Sequence, residues 1–368
     1  MPRTPDPIED DLDSLPPPPP VFHAEQALLG ALLLEPHRVA DLTGITVEAF
    51  STAAHAALFT AIRSLPAPEP AEHAKTTTWL NQVLTAAREQ TRGLTTTYLH
   101  HLIQCCPEPR HAPAYARIIE AEHSRRLLRD AAQRLVQTAL DTTLPQRVAT
   151  TLAEATTLTA VVDGIANRFP PHPGSLPRTP ATPAVVHDEE ASGDEEVLLA
   201  SATARPASVE RMRWLTPGDF THPLHAMLWR CLSTMARRGA SIDNVTVRWE
   251  AQHHGLLSHG SGLLGFLGEP AGCDPEYWGE QILRRSLLTT AHHTGRHIEA
   301  LTHDSATTTY QLVVGSRRAL AGLNTVRTRW HLATTPPQVN TPTQARTSAP
   351  PRAGPPPTTA PPAVRSAR

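Results

Sequence analysis

The sequence predicts an all-α protein made of two tandem helical bundles. Three observations carry this reading. Helical periodicity runs through both blocks that have enough apolar residues to fold. No stretch shows sustained alternation or a tight hairpin turn, so little or no sheet is expected. The chain also matches itself after a shift of 170 residues. The two bundles are expected at residues 21–169 and 194–330, each closing in an antiparallel helical hairpin. Segments 1–20, 170–193 and 331–368 are rich in Pro and are expected to be disordered: an acidic N-terminal segment, an acidic linker and a cationic Pro/Thr/Arg tail.

The first bundle opens on a helix in which Ala24, Ala27, Leu28, Ala31 and Leu32 recur at three- and four-residue steps, the pattern of one buried face. A long helix begins near Pro113 and continues through Leu128, Ala131, Leu135 and Ala139. Asp141 to Pro145 breaks it, with Pro145 placed in the first turn of the next helix. That return helix carries Val148, Leu152, Ala155, Val162 and Phe169 at near-heptad spacing, so the pair forms a hairpin with an apolar seam. The second bundle ends the same way, broken near Asp304, with Tyr310, Val313, Leu320, Leu323 and Val326 on its return helix.

The internal repeat is ungapped from Glu25 to Phe59. Glu25, Leu28 and Leu29 fall on Glu195, Leu198 and Leu199; Pro36 and Val39 on Pro206 and Val209; Thr46 and Phe50 on Thr216 and Phe220. His55, Ala56 and Leu58 fall on His225, Ala226 and Leu228, with Phe59 opposite Trp229. Ten identities over 35 positions are several-fold more than the roughly two or three that chance gives for this composition. The register returns at Tyr115 and Ile119, which fall on Trp278 and Ile282. Gly30 becomes Ala200, and Leu32 to Leu34 become Ala202, Thr203 and Ala204. Phe50, Leu58 and Phe59 are core candidates, each worth about 1.5–3 kcal/mol when buried. His55 and His225 are expected to be half-buried histidines that cap or hydrogen-bond nearby backbone.

Composition narrows the function. The formal net charge is -2, so no global positive field draws the chain to DNA or anionic lipid. The cysteines Cys105, Cys106, Cys231 and Cys273 have neither a disulfide framework nor zinc-ligand spacing, and fit a reducing cytoplasm. No apolar run reaches the roughly 18 residues of a membrane span. A cytoplasmic location is expected, with association to the nucleoid as one option. A nucleotide motor needs a Gly-x-x-x-x-Gly-Lys-(Ser/Thr) loop. The one lysine, Lys75, precedes Thr76 but has no glycines before it, so neither a nucleotide site nor an enzyme activity is expected. His293 and His297 share a helix face, yet a third metal ligand is not evident. No catalytic, cofactor or metal site is therefore assigned. Arg125, Arg126, Arg129, Arg284, Arg285, Arg317 and Arg318 lie on hairpin helices and are the candidate interaction surface, for an acidic partner helix or a phosphate backbone.

The repeated unit resembles the N-terminal domain of DnaB-type replicative helicases. The resemblance rests on Glu25-Gln26-Ala27-Leu28-Leu29-Gly30-Ala31-Leu32-Leu33-Leu34-Glu35-Pro36, then Ile45 to Phe50, then His55-Ala56-Ala57-Leu58-Phe59. The second copy reads Leu215 to Phe220, then His225-Ala226-Met227-Leu228-Trp229, and keeps the family-like Arg238 to Thr246 stretch. Tyr115 to Ile119 is similar to the family's entry into the hairpin. The signature core is Glu25, Leu28, Leu29, Gly30, Pro36, Phe50, His55 and Phe59, with Glu195, Leu198, Leu199, Pro206, Phe220, His225 and Trp229 in the second copy. The resemblance implies domains that pair through their helical hairpins, build the N-terminal collar of a hexamer and present a surface to primase. It thus implies a non-catalytic interaction module for DNA replication, with replicative helicase or primase as partner. Two copies in one chain also allow self-association, including an intramolecular pseudo-dimer. The alternatives are a DNA-binding accessory protein, using the arginine clusters and the tail, and a remnant of a helicase that has lost its motor.

Overall fold

The computed structural model describes residues 19–170, 189–256, 265–267 and 272–335. Most of the three Pro-rich segments lies outside these residues. Every regular element among the described residues is helical. The first copy contains α1 (Pro20–Leu34), α2 (Ala53–Ser64), α3 (Pro70–His73), α4 (Thr78–Gln90), α5 (Thr96–Gln104), α6 (Ala112–Leu140) and α7 (Arg147–Arg168). The second contains α8 (Glu189–Ala204), α9 (Pro206–Arg211), α10 (Pro223–Arg237), α11 (Asn244–His253), α12 (Pro275–His303) and α13 (Thr309–Thr334). Short 3-10 turns at Pro36–Asp41, Val47–Ala49, Pro109–His111 and Pro217–Asp219 join them.

Proline starts many of these helices. Pro20, Pro113, Pro206, Pro223 and Pro275 all sit in the first two helical positions. An N–H is not needed there, and the fixed φ already suits a helix. Pro145 departs from the expectation. It lies in the turn before α7, whose first residue is Arg147. Two boundaries also shift outward. α8 begins at Glu189, inside the segment expected to be linker. α13 runs on to Thr334, because Trp330 and Ala333 pack on the core of the second copy.

Three apolar cores organise the described residues. The first lies in the head of the first copy, around Leu28, Leu32, Leu58, Phe59 and Leu102. α1 is buried on all sides from Ala24 to Leu33, rather than along the single face its periodicity predicts. It runs through the middle of the head, with α2, α5 and α6 against it. A helix apolar all round is the sequence form of such a position. The second core lies in the head of the second copy, around Leu198, Leu228, Trp229, Ile282 and Leu287. Val148 of α7 reaches across from the first copy into this core.

The third core joins the copies. α6 and α7 form one antiparallel hairpin, α12 and α13 the other, and the two hairpins pack into a four-helix bundle. Its interior holds Leu128, Leu135, Leu158, Val162, Ile298, Leu312, Leu320 and Leu323. α6 and α12 run antiparallel: Arg125 in the middle of α6 reaches Thr302 near the end of α12, and Gln133, farther along α6, reaches Glu299, earlier in α12, at 3.0 Å. They approach closely at Gly295. A Cβ there would stand 2.9 Å from the Ala132 carbonyl oxygen and 2.7 Å from Cγ2 of Val136. Only a residue without a side chain lets the backbones meet at that spacing.

Candidate interaction surface

The seven candidate arginines do different things. Arg125 donates from Nη1 to the carbonyls of Thr302 (3.1 Å) and Asp304 (2.9 Å), and from Nη2 to that of Thr307 (2.6 Å). Arg129 adds bonds to the Thr302 hydroxyl (3.2 Å) and carbonyl (3.1 Å). These two guanidinium groups cap the C-terminal end of α12, whose last carbonyls have no helical partner. Arg126 donates to the Ala49 carbonyl in the head of its own copy. Arg125, Arg126 and Arg129 are therefore engaged within the chain and are not an open surface. No residue near them in the chain signals this, because their partners lie far along it.

The second group is more open. Arg317 is exposed and pairs with Asp163 of α7 at 2.7 Å across the bundle, and Arg318 beside it is exposed. Exposed pairs of this kind contribute about 0.2–1 kcal/mol. Arg285 pairs with Asp194, and Arg284 is exposed on α12. The arginines thus fall into a structural set on α6 and an accessible set on α12 and α13.

The recurring histidines form a feature that the sequence marked without explaining. Glu25 and His55 are both fully buried. Nδ1 of His55 meets Oε2 of Glu25 at 2.6 Å, and the other ring nitrogen meets the Tyr98 hydroxyl at 2.7 Å. Ser51 donates to the same carboxylate from its amide (2.7 Å) and its hydroxyl (2.9 Å). A carboxylate only accepts, so Nδ1 of His55 donates; in the neutral ring Nε2 then accepts from Tyr98. The second copy repeats the core of this arrangement. His225 meets Glu195 at 2.8 Å, and Thr221 donates from its amide and hydroxyl at 2.6 Å each. The amide of His222 adds a bond at 3.2 Å.

His55 and His225 are therefore buried partners of a glutamate, not half-buried histidines bonded to backbone. Burial works against the charge on Glu195, but the bonds from His225, Thr221 and the backbone at 221 and 222 prevail and hold its carboxyl below the ordinary value. In each head this network ties the first helix (α1 or α8) to the start of α2 or α10. The available signal was a glutamate in an apolar helix, a residue type rarely buried without a partner, with a histidine at the same spacing in both copies.

Among the other signature residues, Leu28, Leu29, Gly30, Pro36, Phe50 and Phe59 are buried, as are Leu198, Leu199, Phe220 and Trp229; Pro206 is half-buried. Phe50 and Phe59 pack at a tilt with centroids 4.8 Å apart, and Phe220 and Trp229 likewise at 5.9 Å. The second head also presents an exposed apolar face. Val245 and Trp249, one turn apart on α11, are 70% and 61% exposed. Among the described residues, no group of three or more His, Cys, Asp or Glu side chains is placed to hold a metal. All four cysteines are free. No helix of the described residues is long and apolar enough to cross a membrane.

Comparison with known families fits this architecture. The family described as the DnaB-like helicase N terminal domain matches residues 17–121 and again 188–267. Neither a curated protein nor a solved structure matches the chain. The two matched segments cover the two heads up to the entry of each long hairpin, and each contains one Glu–His network. The chain belongs to the family of the DnaB-like helicase N-terminal domain, and carries that domain twice in tandem.

Proposed function

We propose that the chain is a non-catalytic interaction module of DNA replication, which docks on a replicative helicase or on primase as a ready-made pair of collar domains. One observation carries the reading: the hairpins through which such domains pair in this family are already packed on each other within a single chain. The hairpin seam is occupied, so docking falls to the heads. The Val245–Trp249 face of α11 supplies an exposed apolar contact of the kind that anchors interfaces.

The test is a binding titration of the full chain against the purified replicative helicase and primase of the same organism. Saturable binding to either is expected, and Trp249→Ala is expected to weaken it about 10-fold or more. Absence of binding to both proteins overturns the reading. The DNA-binding alternative is less well supported, because Arg125, Arg126 and Arg129 are spent inside the molecule. An affinity for DNA that falls steeply with salt would favour it instead.

A further inference from the structure

The two ends of the paired hairpins are not equivalent, and the difference leaves a cationic cavity. α6 and α12 align residue for residue, with Tyr115 on Trp278. In that alignment Arg125 and Arg129 correspond to Leu288 and His292. At the end of α12, Arg125 and Arg129 fill the space and satisfy the terminal carbonyls. At the end of α6 the shorter Leu288 and His292 stand in their place, and a cavity of about 470 Å³ remains. That volume lies within the roughly 300–1,000 Å³ range of small-molecule sites.

Three arginines enter this cavity from its sides: Arg147 at the start of α7, and Arg284 and Arg285 on α12. Asp194 of α8 is the one acid on its wall, and it is taken by Arg285. Arg147 uses one nitrogen on the Ala139 carbonyl. Two guanidinium nitrogens, Nε of Arg147 and Nη1 of Arg285, are buried there with no hydrogen-bond partner. A buried charged donor left unmatched is costly, and neighbouring guanidinium groups repel. Burial, and then the charge of Arg284, press the pKa of Arg147 downward. An anion in the cavity offsets the repulsion among the three guanidinium groups that line it. Phosphate oxygens suit forked guanidinium donors, which bind them in bidentate fashion.

We propose that this cavity, between the end of α6, the start of α7 and α12, binds a small polyphosphate anion through Arg147, Arg284 and Arg285. Inorganic pyrophosphate and the phosphate tail of a nucleotide share that chemistry. The bound anion bridges α7 of the first copy to α12 of the second, so it locks the two hairpins together. The proposal does not depend on the docking partner.

Calorimetric titration of the full chain with inorganic pyrophosphate, and separately with ATP, tests it. The wild-type chain is expected to bind at least one of the two saturably at one site per chain, and that ligand is expected to raise the thermal unfolding midpoint. A tighter ATP complex assigns the nucleotide as the source; equal affinities assign the phosphates alone. Arg284→Ala, at an exposed position that leaves the fold intact, is expected to weaken binding at least 10-fold. Arg92→Ala, exposed just beyond α4 and outside the cavity, is expected to leave it unchanged. No saturable binding of either anion, or equal losses in the two variants, overturns the proposal.

Discussion

The two heads share one polar network and differ in what surrounds it. In the first, three helices (α3, α4 and α5) lie between α2 and the long hairpin, and Tyr98 of α5 completes the bonding of His55. In the second, α11 lies between α10 and the hairpin among the described residues, and Phe266 packs edge-on against His225 at 5.8 Å. What recurs is the tie from a buried glutamate to a Ser/Thr-x-x-x-His turn. What varies is the wall outside it. The comparison teaches that the network defines the unit, while the intervening helices give each copy its own surface.

The strongest way to break the comparison is to remove the network from one head at a time. Glu25→Ala leaves a buried imidazole and the Ser51 amide without an acceptor, and Glu195→Ala does the same to His225 and Thr221. Each is expected to cost about 3–5 kcal/mol, the range for breaking a buried pair. Urea unfolding read by tryptophan fluorescence separates the heads, since Trp79 alone lies in the first copy and the other five tryptophans lie in the second. Equal stability of the variants and the wild type would show that the network is not the anchor.

A smaller effect is expected at Gly30. A Cβ there would lie 2.1 Å from the Leu102 carbonyl oxygen of α5, so Gly30→Ala forces α1 and α5 apart. The cost is expected at about 1–3 kcal/mol, as for other overpacked sites. The second copy carries Ala200 at the matching position, in a head whose described residues include no counterpart of α5. Ala200→Gly is therefore expected to cost only about 0.5–1 kcal/mol, the helix penalty of glycine. Hydrogen exchange of α1 and α8 in the two variants checks the asymmetry.

The smallest effect is on pH dependence. The carboxyl of Glu195 is held below its ordinary value in the folded state. Its contribution is therefore present above the unfolded pKa and is lost as pH falls through the lower folded one. The tryptophan-rich second head is expected to lose stability in that acid window, and Glu195→Gln to flatten the loss. An unchanged acid profile in that variant would assign the loss to other carboxylates.

Much of this fold was legible from periodicity and self-similarity. The hairpins could be read because Leu128 to Ala139 and Val148 to Phe169 keep helical spacing over many turns. The repeat could be read because the first helices, the prolines and the aromatic positions hold one register. Periodicity failed at α1, where a helix buried on every side has no polar face to reveal its orientation. It also failed for Arg125 and Arg129. Nothing local distinguishes an arginine that caps a distant helix from one in solvent, and their target carbonyls lie at the far end of the other copy. Arg147, absent from the candidate set, owes its role to the Leu288 and His292 positions opposite it, which matter only once the hairpins are paired.

The account depends on the two hairpins pairing within one chain. Light scattering on the 368-residue chain over a wide concentration range measures this most directly. A constant mass of 39.9 kDa is expected, the mass of one chain. A mass that rises with concentration to twice that value would show that the hairpins pair between chains, and would contradict the account.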